Sequence, residues 1–138
     1  MNAEFQDLQH QDNPHNGETL RDQRSVMALL EELRDVSLPF MCQFAGDNEF
    51  NLTVGIDRDF GCVQHSANDG SPPYLMAIAP AASGLDRREM TFLVGDTATP
   101  IDGRYRLPIS LVKEIVADFV TSGKRSENIV WEEFGPSR

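Results

Sequence analysis

Positive charge is scarce in this chain. Twelve Lys and Arg stand against 22 Asp and Glu, a formal net charge of −10 over 138 residues. The deficit is local: residues 1–100 carry 16 acidic and 6 basic side chains, whereas residues 101–138 carry 6 of each. Phosphate contacts require clustered Lys and Arg, so nucleic acid and anionic membranes are excluded as direct partners. An acidic surface either complements a basic protein and speeds its capture or simply keeps the chain soluble.

Cysteine is also scarce. Cys42 and Cys62 form no C-x-x-C pair, follow no zinc spacing and sit in apolar runs, which predicts buried, reduced thiols. No apolar run is long enough to cross a bilayer. The start, Met1 to Asp7, is polar and acidic, unlike a secretory leader, so a cytoplasmic protein is expected. Glycine-rich phosphate loops and a G-x-S-x-G elbow are absent.

What is present reads as one domain. Residues 1–18 are rich in Gln, Asn, Asp and His, which predicts a mobile polar tail whose His10 and His15 are solvated rather than metal-bound. A single domain is expected over residues 19–135. Val26, Leu29, Leu30, Leu33 and Val36 mark the stripe of a helix between Leu20 and Val36, ended by Pro39. Strands are predicted at Phe40–Ala45, Phe50–Ile56, Phe60–His65, Tyr74–Ala79 and Met90–Gly95, with a loop from Pro80 to Arg88. A second helix follows Leu107-Pro108, with Ser110 as its expected N-cap and Gly123 as its left-handed C-cap. Ile129–Phe134 closes the chain as a strand. The expected fold is α+β: a curved antiparallel sheet of about six strands with an N-terminal and a C-terminal helix, in the order α-β-β-β-β-β-α-β.

Candidate chemistry is thin. His65, Ser66 and Asp69 supply the residue types of a triad, but loop neighbours rarely hold triad geometry. His65 reads instead as a half-exposed polar residue at a strand end. Asp57 with Asp59, and Asp47 with Glu49, could serve acid–base work or a hard cation; Asp is equally a turn former. No catalytic, cofactor or metal residue is assigned. The five acidic residues Asp47, Glu49, Asp57, Asp59 and Asp69 fall at predicted strand turns and form the candidate protein-binding surface.

The last third carries a pattern. Leu107 and Pro108 open a helix containing Phe119, Gly123 and Arg125 make the turn, and Val130-Trp131 leads the final strand. These positions resemble the Imm1 family of bacterial immunity proteins over about 35 residues, with Ser126 where the family often has Pro. The resemblance implies a protein encoded beside a polymorphic toxin, often one with a deaminase-fold domain. Such a protein binds the toxin domain, blocks its active site and performs no chemistry. Phe119, Gly123 and Trp131 then count as fold determinants. Two other readings fit the same residues: an acidic adaptor for some other protein, and a small ligand-binding domain or enzyme built on His65 and the carboxylates.

Overall fold

The computed structural model describes residues 1–80 and 86–134. Ten strands among these residues join one sheet, and two α-helices cover part of it. The expectation of about six strands with helices at both ends is therefore corrected. The strands are β1 (Ala3–Asp7), β2 (Thr19–Leu20), β3 (Phe40–Gly46), β4 (Phe50–Asp57), β5 (Phe60–Ala67), β6 (Tyr74–Ile78), β7 (Met90–Val94), β8 (Thr97–Ile101), β9 (Leu107–Pro108) and β10 (Val130–Phe134). The helices are α1 (Gln23–Leu33) and α2 (Ile109–Ser122). The main path of the sheet runs β10-β6-β5-β4-β3-β1-β2. Its pairs are antiparallel except for one parallel bridge, Phe40 with Leu93.

The additional strands have physical causes. β1 lies inside the segment expected to be a tail. Its burial alternates, with Ala3, Phe5 and Asp7 in and Glu4 and Gln6 out, and it pairs with β3 over five residues. Asp7 is 3% exposed and organises the following loop: its oxygens accept from the backbone N–H groups of Gln9 and His10 and from Asn13 Nδ2, and lie 2.9 Å from His10 Nδ1. Four contacts satisfy a buried carboxylate that would otherwise be costly to desolvate. His15 bridges Glu18 and Glu32, both 3.0 Å away. β8 carries Thr, Ala and Pro rather than an apolar run; it pairs only with β7, where Pro100 needs no ladder donor. The loop predicted from Pro80 to Arg88 includes residues 81–85, and the predicted C-terminal tail is 135–138; both stretches lie outside the described residues.

Both faces of the sheet are covered. On one face, Phe44, Leu52, Val54, Ile56 and Val63 pack beneath the stripes of α1 (Val26, Leu29, Leu30, Leu33) and α2 (Val112, Ile115, Val116, Phe119, Val120). The opposite face is closed by the β7–β8 hairpin and the 3₁₀ turn Gly103–Tyr105, which bury Met41, Cys62, Met76, Met90, Phe92 and Tyr105. Gly55 is the contact point there: a Cβ on it would stand 2.9 Å from the Phe92 ring. Both cysteines are buried and free, and burial pushes both thiols up. They sit on β3 and β5, two strands or about 10 Å apart, in different cores, which puts them beyond disulfide reach.

The caps are partly as expected. Gly123 closes α2 at φ 77°, its N–H donating to Phe119 O. The N-cap of α2 is Pro108 with no side-chain bond, not Ser110, because Ile109 N is already held by Asp59 O at 2.9 Å. Asp22 caps α1 by accepting from Ser25 N.

Candidate functional site

β4 and β5 form the longest ladder, and the candidate residues fall at its two ends. The strand β4 has eight residues, so its ends lie about 23 Å apart. Asp47, Glu49 and Asp69 meet at one end; Asp57 and Asp59 stand at the other. The five acidic residues therefore do not make one surface.

At the far end, the β4–β5 turn is tied down. Arg34 Nη2 donates to Asp59 Oδ1 at 2.6 Å, and Arg34 Nε donates to Arg58 O at 3.0 Å. Asp57 is half-buried, and desolvation raises its pKa against the opposing pull of Arg106 and Arg58. The Arg106 guanidinium stacks 4.0 Å above the Phe60 ring.

The near end is open. The turn Asp47-Asn48-Glu49 connects β3 to β4, with Glu49 in the left-handed region at φ 74°. Asn48 Nδ2 donates to Gly123 O at 2.7 Å, joining this turn to the end of α2. Asp47, Glu49, Asn68 and Asp69 line an acidic shelf of about 470 Å³ that shares Phe50 and Ala67 with a larger groove of about 950 Å³. Ser71 holds Asp69 ionised by donating through its hydroxyl and its backbone N–H, which lowers the carboxyl pKa.

The groove has an aromatic floor and a rim that carries Lys124, Arg125 and Glu127. Phe50, 42% exposed, stacks on His65 at 5.0 Å and 27°. His65 also meets Phe119 and Trp131 edge-on, at 6.0 and 6.1 Å. Trp131 Nε1 donates to Ser126 O at 3.2 Å, which fixes the indole against the α2–β10 turn. Lys124, Arg125 and Glu127, on that turn, line the groove, and the Asn48–Gly123 hydrogen bond sets the turn beside Asp47 and Glu49. Desolvation, then the nearby Arg125 charge, depresses the His65 pKa to about 4, so the ring is neutral at pH 7.

Sequence reasoning placed the acidic half of this end and missed the groove. His65 is 8% exposed, not half-exposed, because α2 and β10 close over it. The triad types do not assemble: Ser66 Oγ donates to Asn51 Oδ1 at 3.1 Å, while Asp69 is engaged by Ser71. Trp131 and Arg125, matched as fold positions, line the groove as well. Phe50 was legible only as the first member of an alternating strand; its place beside a turn, where no neighbour covers it, was the available signal. Among the described residues no group of three His, Cys, Asp or Glu could hold a metal ion. No helix among them is long and apolar enough to cross a membrane.

An open groove with an aromatic floor thus adjoins an acidic shelf. The family model "Immunity protein Imm1" matches residues 14–133, and the chain belongs to this family of immunity proteins. No curated protein matches the chain. Membership extends the 35-residue resemblance of the C-terminal third to most of the sequence, and it assigns toxin neutralisation as the general role.

Proposed function

We propose that this protein neutralises a cognate toxin domain by forming a 1:1 complex that occludes the toxin's active site, without catalysis of its own. Membership in the Imm1 family carries this reading. The net charge of −10 supports a basic partner, and a toxin that grips nucleic acid, such as one with a deaminase fold, presents a basic groove. The site of action is the cytoplasm, where buried reduced thiols persist.

The toxin-facing surface is the open end of the β4–β5 ladder. Asp47, Glu49 and Asp69 steer the basic partner, and Phe50 and the groove beside it hold it. Asp57 and Asp59 are the alternative surface, already engaged in part by Arg34. Protection requires nanomolar affinity, about −12 kcal/mol, most of which apolar anchors must supply.

The test is capture. The tagged chain is drawn from a lysate of its own cells and its stoichiometric partner identified. A partner domain that kills cells when expressed alone and is silenced by this chain is the expected result. A housekeeping complex in its place would establish the adaptor reading instead.

A further inference from the structure

Three features of the groove serve no partner within the described residues. His65 is nine-tenths buried and lines the groove, makes no side-chain hydrogen bond among the described residues, and keeps its ring nitrogens open to solvent. Phe50 stacks on His65 yet stays 42% exposed. Lys124 and Arg125 are exposed and enter no ion pair among the described residues.

We infer that the groove receives one aromatic side chain of the toxin, a Tyr or Trp, on a segment with an acidic residue facing Lys124 and Arg125 and a basic residue facing Asp47, Glu49 and Asp69. The inference rests on the toxin-binding reading and deepens it. The choice of anchor follows from His65. A neutral imidazole offers one donor and one acceptor. An aliphatic anchor would dry the ring and leave both unmet, at the cost of an unsatisfied buried polar group. A charged anchor would be stripped of water against Phe50, Trp131 and Ile129. A phenol hydroxyl or an indole N–H meets the ring nitrogen while its ring lies against the exposed part of Phe50. A volume of about 950 Å³ accommodates such a ring with its flanking backbone.

The experiment measures the dissociation constant of a catalytically inactive form of the captured toxin domain against the full chain and three variants. Trp131, the only tryptophan, is replaced by fluorotryptophan as a reporter within the groove. Phe50→Ala is expected to weaken binding roughly 100-fold, the double variant Lys124→Glu with Arg125→Glu at least about 10-fold, and His65→Phe, which keeps the ring and loses its nitrogens, about 10-fold. The fluorine resonance is expected to shift on adding toxin. Should Phe50→Ala melt early, Ala67→Phe narrows the groove from its border and must produce the same loss. Wild-type affinity in every folded variant, with an unmoved resonance, overturns the groove and leaves the immunity reading intact. A toxin domain that does not bind the wild-type chain removes both. If concentrated protein alone dimerises and shifts the resonance, the occupant is a second copy and the inference fails.

Discussion

The two ends of the β4–β5 ladder are built from similar letters and do opposite things. Each has a tight turn with two nearby carboxylates and a left-handed non-glycine residue, Glu49 at φ 74° and Arg58 at φ 54°. At the far end Arg34, β9 and Ile109 N all bind the turn, and Arg34 pairs with Asp59. At the near end Asn48 ties the turn to α2 and Asn2 and Asn68 bind it, but no cation pairs with Asp47, Glu49 or Asp69 among the described residues, and an exposed Phe50 borders both the acidic shelf and the groove. The contrast shows that acidic sequence at a turn does not identify a binding surface. What distinguishes the ends is whether the neighbouring elements leave charge and aromatic area without a partner.

The largest effect is expected where the far end is rigid. A Cβ on Gly61 would sit 2.1 Å from Gly55 O, a backbone atom held in the same ladder. Gly61→Ala should cost about 4 kcal/mol or more and yield little folded protein, read as the loss of a cooperative melt. A variant of near wild-type stability would show that this end is pliant and dissolve the contrast.

The second effect concerns pH at the near end. His65 is neutral in the fold with a pKa of about 4, below its ordinary 6.5. The unfolded chain binds the extra proton first, so this residue's contribution to stability is complete above pH 6.5 and is lost progressively as pH falls towards 4. The loss is on the order of 2–3 kcal/mol. Denaturant midpoints from pH 7 to 4 should fall more steeply for the wild type than for His65→Phe. Parallel curves would place His65 in water and remove the closed floor of the groove.

Charge reversal separates the ends directly. Asp47→Lys with Glu49→Lys should slow toxin association about 10-fold at low salt, with the difference shrinking as salt rises. Asp57→Lys with Asp59→Lys should change it little. The smallest effect is conformational: Glu49→Gly and Arg58→Gly should each stabilise by about 0.5–1 kcal/mol by relieving the left-handed strain. Only the first should also slow toxin capture.

Periodicity made the helices and the central meander legible, because Val26 to Leu33 and Val112 to Val120 keep their stripes and β4 alternates cleanly. β1, β8 and the two-residue strands escaped it: their partners, not their composition, make them strands. β1 sits in a polar stretch whose order depends on Asp7, and β8 is an edge strand containing Pro100. The acidic shelf was visible as turn carboxylates. The groove was not, since it joins Phe50, His65, Arg125 and Trp131 from four separate segments, and only packing brings them together. The split of the acidic set likewise depends on strand length and direction, which charge counting does not register.

The central claim is that the near end of the ladder silences the toxin. Growth of cells expressing the toxin domain with this chain, with Phe50→Ala plus Asp47→Lys, or with Asp57→Lys plus Asp59→Lys tests it most directly, with each protein's level and melting point matched. Protection by the wild type and by the far-end pair, and death with the near-end pair, is the expected result. Protection by the near-end pair together with death from the far-end pair would contradict it.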